Sequence, residues 1–429
     1  MKILWLVNIV MPELAEHLGE KPSVFGGWLS GALEAVRSSG YELVICASRT
    51  GLNETSHYSV NGVTYYLFPT GSVEKMELSC RTILQEENPD VVHIYGTEFE
   101  QSWAMAKCAD PHKLLVTVQG AMTYLKDQVY AGLPERQCRD TLLHRLLRAL
   151  HKGGNSIELQ KRSFEQRAEI EQKVLQRARF INGGSAWGNA VARSINPDCR
   201  TFDCGLILRN EFYTDERWSY DACEKHSIYA LFSYPIKGFH KLLDAMPMIL
   251  HEYPDTKIYV VANRLPWRNY HGLKAAVQNA APDYNWLIQK QIERLNLKDH
   301  IVFLGHLNTD QVKERMLKSH VFVSASSIEN QSTSLGEAMI LGVPSVASCV
   351  GAMLEMIDHG EDGFLYPFNE HYLLADAVCR IFADRDLAEQ FSQKGHDHAA
   401  RTYDRAENGK RLLNMYKSIL KQTRSETDV

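Results

Sequence analysis

Mostly apolar runs of three to eight residues alternate with helical patterns along most of the chain. An apolar run that is continuous, rather than alternating with polar residues, indicates a strand buried on both faces, as in a parallel sheet covered by helices. The runs of the first half span residues 3–10, 42–47, 63–68, 91–95, 114–118 and 180–182. The pattern restarts in the second half with residues 227–232, 257–262, 301–304, 321–325 and 345–348.

Two successive series of strands and helices predict two doubly wound α/β domains rather than one long sheet. We place the first domain at about residues 1–200 and the second at about residues 201–400. The stretch 196–225, which is polar and aromatic and lacks a helical stripe, joins them. The chain has 429 residues, a length that is comfortable for two such domains.

Composition excludes several classes of protein. A hydrophobic fraction of 45% and a charged fraction of 23% are typical of a soluble globular protein. The net charge of -5 argues against general affinity for nucleic acid, which needs many lysines and arginines on phosphates. The apolar run at the N-terminus is short and precedes Pro12 and Glu13, so it predicts a buried strand rather than a signal peptide.

The nine cysteines are scattered and form no Cys-x-x-Cys pair, which indicates a reduced, cytoplasmic protein without a structural zinc site. The Asp-x-Asp pattern at Asp384 and Asp386 lies in a charged helical stretch and follows no strand, so we interpret it as solvated surface. We therefore expect no metal and no cofactor. His93 lies inside a strand and is interpreted as a hydrogen-bonded core histidine.

The most informative segment, residues 326–348, predicts a polar turn, a helix over about 334–341 and another strand. Glu329 falls in the turn and Glu337 in the helix, eight residues later. The free N–H groups at a helix start bind a diphosphate, and the helix dipole favours its negative charge. Carboxylates beside a diphosphate are reasonable if they hold neutral hydroxyl groups. The alternative is a solvated turn glutamate followed by an ordinary surface glutamate.

Two loops add to this pattern. Lys237 lies in the loop between the first strand and the first helix of the second domain, where a lysine can neutralise a leaving diphosphate; the alternative is a lone surface lysine. Gly26 and Gly27 precede the first helical stripe, and glycines let a backbone approach a ligand closely. A simple tight turn would use the same pair.

Together these segments resemble family 4 glycosyltransferases, retaining enzymes of the GT-B fold with two Rossmann-like domains facing an interdomain cleft. The motif of two glutamates separated by seven residues, the Lys237-Gly238 pair, and residues 302–307, 350–355 and 360–366 carry the resemblance over most of the chain. It implies that Glu337 holds the ribose, that Glu329 holds the donor sugar, and that the amides of Thr333 and Ser334 cradle the diphosphate. The base would lie near Leu307, and the last helix, residues 408–422, would pack back on the first domain.

The chain departs from the family pattern in two places. The arginine that usually precedes the motif lysine by five or six residues is absent, and Leu231 and Phe232 stand there instead. Gln119 stands where many members carry a histidine facing the donor sugar. A glutamine can hydrogen-bond a hydroxyl group but cannot shuttle a proton near neutral pH.

Residues 135–179 predict a long helical insertion, whose first part, residues 141–152, carries leucines on one face. Arg145, Arg148 and Lys152 take the opposite face. Such a stripe usually packs on its own domain. The alternative is a helix that lies on a membrane surface or meets a lipid-linked acceptor.

The resemblance thus predicts a hexosyltransferase that retains the anomeric configuration. Its donor would be a nucleotide sugar, above all a UDP-sugar, and its acceptor a glycan or lipid-linked molecule in the synthesis of a surface polysaccharide. Its place would be the cytoplasm, with peripheral contact at the inner membrane face. Two other functions stay open on the same fold: a sugar-nucleotide epimerase, and a catalytically silent partner subunit of a glycosyltransferase.

Overall fold

The computed structural model describes residues 1–21, 27–140, 142, 145–146, 156–262 and 283–427. The chain forms two compact units. Unit 1 comprises Met1–Tyr124, Glu165–Asn210 and Thr402–Val429, and unit 2 comprises Leu125–Phe164 and Glu211–Arg401. The described helices include none that is both long enough and apolar enough to cross a membrane.

Unit 1 contains an eight-stranded sheet in the order β3-β4-β2-β1-β5-β6-β7-β8. Every pairing is parallel except that of β3 with β4. The strands are β1 (Lys2–Val7), β2 (Glu42–Arg49), β3 (Ser56–Val60), β4 (Val63–Pro69), β5 (Val91–Tyr95), β6 (Leu114–Thr117), β7 (Phe180–Asn182) and β8 (Arg200–Phe202).

Helices follow most of these strands, and the central strands are buried along their length, as expected for a covered parallel sheet. The helices assigned wholly or mainly to unit 1 are α1 (Pro12–His17), α2 (Trp28–Arg37), α3 (Val73–Glu87), α4 (Glu100–Cys108), α5 (Met122–Leu125), α7 (Ile157–Arg177), α8 (Ala186–Ile195) and α15 (Arg405–Thr427). Helix α7 begins within the segment counted with unit 2.

Tyr416 links the C-terminal helix α15 to the sheet of unit 1 by hydrogen bonds. Its hydroxyl group accepts a hydrogen bond from the indole N–H of Trp5 at 2.9 Å and lies 2.8 Å from Nδ1 of His93. Nε2 of His93 lies 2.7 Å from the hydroxyl group of Thr117. Burial lowers the pKa of His93 to about 3, so the ring is neutral. The interpretation of His93 as a hydrogen-bonded core residue is therefore confirmed.

Unit 2 contains a six-stranded sheet in the order β11-β10-β9-β12-β13-β14, with all pairings parallel. The strands are β9 (Glu224–Ala230), β10 (Lys257–Val260), β11 (Ile301–Phe303), β12 (Ser319–Ser324), β13 (Ser345–Ser348) and β14 (Phe364–Tyr366). The helices are α6 (Glu135–Cys138), α9 (Phe239–Glu252), α10 (Tyr284–Arg294), α11 (Thr309–Leu317), α12 (Thr333–Ile340), α13 (His371–Ala383) and α14 (Arg385–Thr402).

The two doubly wound sheets confirm the predicted fold class. The units differ from the proposed ranges 1–200 and 201–400: residues 125–164 lie in unit 2, and residues 201–210 and 402–429 lie in unit 1. The resemblance already implies that the last helix, residues 408–422, packs on the first domain. Buried contacts explain the placement of residues 125–164 and of this helix. The imidazole of His240 in unit 2 binds the carbonyl oxygen of Ala131, and Tyr416 is buried among strands of unit 1.

The predicted helical insertion is only partly described. Residues 141, 143–144 and 147–155 lie outside the described residues, and with them most of the predicted helix 141–152, including Arg148 and Lys152. Among its described residues, Leu142 and Leu146 have 74% and 56% of their surface exposed, and Arg145 is exposed as well.

Candidate functional site

The loops that follow β9 and β12 bring Lys237 and Glu329 together. These strands are neighbours at the centre of the unit 2 sheet, and successive strands are added outward on either side of them. In open α/β sheets such a reversal of strand order leaves a crevice at the carboxyl ends of the strands, where ligands bind. The ammonium group of Lys237 lies 2.5 Å from a carboxylate oxygen of Glu329.

Gly238 sets the distance between these two loops. Its φ is +67°, and it ends the short 3-10 helix Pro235–Lys237 and begins α9. A Cβ atom at this position would lie 1.6 Å from the carbonyl oxygen of Ala325, which follows β12. Glycine is therefore required for the backbone after Lys237 to approach the loop that carries Glu329.

Gly351, in the loop after β13, holds the other side of Glu329. A Cβ atom on Gly351 would lie 2.1 Å from the carbonyl oxygen of Glu329, and its φ is +52°. The neighbouring backbone N–H of Ala352 donates to that same oxygen at 3.0 Å. The loop after β13 thus fixes the backbone of Glu329, and the sequence motif around Gly351 has a local structural reason.

The environment of Lys237 keeps its side chain charged. Burial of the ammonium group by itself disfavours the charge, but attraction to Glu329 and to Tyr234 and the hydrogen bond to Glu329 outweigh it, and the pKa of Lys237 is raised. The side chains of Lys237 and Glu329 are 21% and 12% exposed, so the pair remains within reach of a ligand.

Helix α12 begins at Thr333, directly after the loop of Glu329. The hydroxyl group of the N-cap residue Ser332 accepts the N–H of Leu335 at 3.4 Å. The N–H groups of the first residues, Thr333 and Ser334, have no partner within the helix because of the geometry of any helix start, and they suit an anion. Glu337, one turn further on, is 1% exposed, so it is not the surface glutamate of the alternative interpretation.

Leu307 lies on the same edge of the sheet, two strands away from β9. It follows β11 and is partly buried, whereas its neighbour His306 is exposed. The N–H groups of Leu304 and Gly305 donate to Val260 and Ala262 at the end of β10. The loop is therefore anchored to the carboxyl edge, where the resemblance expects the nucleotide base.

Apolar side chains stand at the two positions where the family pattern has its arginine, Leu231 and Phe232. Phe232 contacts three aromatic rings, with centroids 5.1 Å from Phe239, 5.9 Å from Tyr284 and 6.4 Å from Phe303. An aromatic cluster at the end of β9 thus replaces the second cation of the family pattern.

The remaining predicted residues belong to unit 1. Gln119 follows β6. Its side-chain amide oxygen accepts a hydrogen bond at 3.4 Å from the side-chain amide of Asn8, which follows the end of β1. Gly27, the N-cap of α2, lies so close to Arg209 that a Cβ atom would meet its Cγ at 2.6 Å. Gly26 lies outside the described residues. Gln119 therefore lies at the carboxyl edge of its own sheet.

Glu171, on α7, is a buried residue that the sequence analysis missed. Its carboxylate accepts from the backbone N–H groups of Met122 and Thr123 at 3.0 and 2.8 Å. The hydroxyl groups of Thr123 and Thr97 donate to it at 2.9 and 3.1 Å. Burial raises the pKa of Glu171, although these hydrogen bonds oppose the shift. Glu171 thus connects the loops after β5 and β6, the second of which contains Gln119. The sequence signal that could have indicated Glu171 is its position on the buried stripe of α7.

Part of the chain is similar in sequence to known glycosyltransferases. Residues 228–398 match the sequence model of the family described as glycosyl transferases group 1. A phosphatidyl-myo-inositol mannosyltransferase of Mycobacterium leprae is 27% identical over 187 residues, which cover 43% of this chain and 44% of that protein. The similarity to the curated relatives thus spans less than half of their length.

Two solved structures resemble the whole chain. Sucrose-phosphate synthase from Thermosynechococcus elongatus superposes with a TM-score of 0.70 and 16% identity, covering 98% of this chain and all of that one. Anabaena HepE in complex with UDP-glucose gives a TM-score of 0.64 and 15% identity, covering 97% of this chain and all of that one. These likenesses establish the GT-B fold.

Replacement of Gly351 by alanine tests the close packing around Glu329. A left-handed alanine costs about 1–2 kcal/mol by itself, and at Gly351 the added atom also overlaps the carbonyl of Glu329. Gly360 is the matched control because its φ is +83° and no atom lies within 4 Å of the added Cβ. We expect Gly351→Ala to lower the urea midpoint of unfolding clearly more than Gly360→Ala. Equal midpoints would contradict this account of the loop.

Proposed function

We propose, from the match of residues 228–398 to the model of the glycosyl transferases group 1 family, that the chain is a retaining hexosyltransferase. It moves a sugar from a UDP-sugar to a glycan or lipid-linked acceptor in the synthesis of a surface polysaccharide. The observation that carries the proposal is the charged Lys237 held beside Glu329 at the reversal of strand order, next to the start of α12.

In this proposal each candidate site residue of unit 2 has a distinct role. The N–H groups of Thr333 and Ser334 bind the diphosphate, and Lys237 stabilises the charge that develops as the bond to the sugar breaks. Glu329 accepts hydrogen bonds from hydroxyl groups of the donor sugar, and Glu337 accepts them from the ribose. For Gly26, Gly27 and Gln119, donor binding stays a prediction of the resemblance.

The pairing of Glu329 with Lys237 supports the proposed retention of the anomeric configuration. The carboxylate of Glu329 is engaged by the ammonium group of Lys237 and the backbone of this residue is fixed by the loop of Gly351, so the carboxylate is poorly placed as a nucleophile or a base. The leaving phosphate oxygen then takes the proton of the acceptor hydroxyl group on the same face of the sugar. In this step the acceptor oxygen bonds to the anomeric carbon as the bond from that carbon to the phosphate oxygen breaks.

The choice of donor and acceptor rests on similarity. HepE, which shares the fold, is described in complex with UDP and with UDP-glucose, and this supports a UDP-sugar. The mycobacterial relative is named for phosphatidyl-myo-inositol and for mannosyl transfer, and this supports a lipid-linked acceptor and a hexosyl group.

The function is tested by incubating the protein with a panel of UDP-, GDP- and ADP-hexoses, with and without glycan acceptors, and measuring release of the nucleoside diphosphate. We expect turnover with a UDP-hexose, and we expect Lys237→Ala to reduce it about 10²-fold or more, the usual loss for one electrostatic stabiliser. Lys318→Ala is the control, since that lysine is 58% exposed at the other end of β12. Normal turnover of Lys237→Ala would refute the role of this lysine, and epimerised donor without transfer would refute the function.

The two glutamates are expected to separate in binding experiments. Glu337→Gln should weaken binding of both UDP and the UDP-sugar, because its partner is the ribose. Glu329→Gln should weaken binding of the UDP-sugar and leave UDP little changed, because its partner is the sugar. Calorimetric titration of both ligands into both variants measures this difference. Equal losses for both ligands in both variants would show that the division of roles is wrong.

We also propose that the protein acts in the cytoplasm, in peripheral contact with the membrane through the segment 141–152. Leu142 and Leu146 are exposed one helical turn apart, beside Arg145, and each basic residue near an anionic bilayer contributes about 1 kcal/mol. The protein should therefore sediment with anionic vesicles at low salt and be released at high salt. Arg145→Glu should weaken sedimentation, whereas Arg139→Glu, outside the leucine stripe, should not. Failure of the parent protein to sediment at low salt would refute the contact.

A further inference from the structure

Unit 2 carries an open depression of about 830 Å³ between α9, α10, and α6 with the segment that precedes it. We call it the basic groove and define it by six lining residues: Arg136, His240, Lys241, Trp286, Lys290 and Arg294. Trp286, Lys290 and Arg294 follow one another at intervals of four along one face of α10. That face runs for about 12 Å, given a rise of about 1.5 Å per residue, which is enough for a short chain of sugars.

The groove is held open by buried hydrogen bonds rather than by surface side chains alone. His240, which is 3% exposed, lies at its floor. Nε2 of His240 lies 2.8 Å from the carbonyl oxygen of Ala131, and Nδ1 lies 3.0 Å from the hydroxyl group of Tyr284. One side chain thus connects the three walls, so the spacing of the cations is built into the fold.

The groove has an excess of positive charge. Its lining contains four cations, namely Arg136, Lys241, Lys290 and Arg294, and one carboxylate, Asp244. Asp244 already accepts from Gln291 at 2.7 Å and lies 3.7 Å from Arg294. Lys290 contacts Glu293 at 2.9 Å on its own helix.

The two other cations are available for a ligand. Among the residues that the structure describes, Arg136 and Lys241 form no ion pair, and Arg136 is exposed. The ammonium group of Lys241 lies 5.3 Å from the ring of Phe368, and a Cβ atom on Gly132 would lie 3.0 Å from it, so the group has a defined position. In a chain with a net charge of -5, such an excess of cations favours an anionic ligand.

Trp286 adds an apolar surface to this charged lining. Its ring is partly buried and lies 5.8 Å from the ammonium group of Lys290. The face of a tryptophan ring packs against the C–H groups of a sugar, while neighbouring cations bind a carboxylate or sulfate on the same ligand. A small inorganic anion would use the cations and leave the ring without a role.

The groove is close in sequence to the proposed donor site. Lys241 lies four residues after Lys237, across the start of α9 at Gly238. This position separates the groove from the diphosphate, which is proposed to bind at α12.

We propose that the basic groove binds an acidic oligosaccharide, one that carries carboxylate or sulfate groups, as a remote part of the acceptor. This inference rests on the proposed transferase function and specifies its acceptor class. Contacts far from the reacting atoms that are the same in the ground and transition states change KM and leave kcat unaltered. Loss of groove cations should therefore raise KM for an acidic acceptor and leave donor binding unchanged.

The test is a calorimetric titration of the full chain with hexagalacturonate, which has one carboxylate per sugar, and with a heparin hexasaccharide, with neutral maltohexaose as the reference. We expect the acidic chains to bind and maltohexaose not to bind. Arg136→Glu and Lys290→Glu should each weaken binding tenfold or more, whereas Lys318→Glu, a charge reversal outside the groove, should change it less than twofold. Trp286→Ala should also weaken binding tenfold, without changing how well inorganic phosphate competes.

The outcomes separate this inference from the proposed function. Binding of UDP without binding of either acidic hexasaccharide would overturn the groove and leave the transferase standing. Binding of the hexasaccharides that survives both charge reversals would also overturn it. If inorganic phosphate competes fully and Trp286→Ala has no effect, the site takes a small anion and not a saccharide. Binding in the groove together with no response to any nucleotide sugar would instead refute the transferase.

Discussion

The close approach of Gly238 to the carbonyl oxygen of Ala325 is the constraint on which the candidate site of unit 2 depends. It brings together the ends of two parallel strands, β9 and β12, at a distance that no residue with a Cβ atom would allow. Lys237 precedes this contact and Glu329 follows it by four residues. The positions of both charges are therefore a consequence of backbone packing, and the ion pair forms because the backbone has already placed its two members together.

This order of causes agrees with the energetics of a half-buried pair. Removing two charges from water costs several kcal/mol per ion in a dry interior, and their attraction repays this cost only with good geometry. Such a pair contributes little net stability, so it is weak evidence for a structural role. The backbone contacts of Gly351 with Glu329 and of Gly238 with Ala325 hold the loops whether or not the ion pair is formed. The geometry of the two loops therefore does not depend on the ion pair.

The apolar runs predicted the buried strands well, because burial on both faces is a strong constraint on sequence. Strands β5, β7 and β13 begin and end where the pattern placed them. Strands β3, β8 and β14 were missed. Strand β3 has alternating burial, β8 has three residues, none of them buried, and β14 also has only three residues. The assignment of residues 125–164 to unit 2 could not be predicted, because it depends on the contact of Ala131 with His240, more than 100 positions away.

The same limit applies to the candidate site. The motif placed Glu329, Glu337 and Lys237 on strand ends and a helix, but it did not indicate that Gly351 fixes Glu329 or that Phe232 belongs to an aromatic cluster. Phe232 changes the electrostatics, since it takes a position where the family pattern has a second cation. Within that pattern, unit 2 offers a diphosphate one lysine and the start of α12, whose dipole is equivalent to roughly half a charge. The pKa of this lysine is raised because attraction to Glu329 and Tyr234 and the hydrogen bond to Glu329 outweigh the effect of burial, so the ammonium group stays protonated.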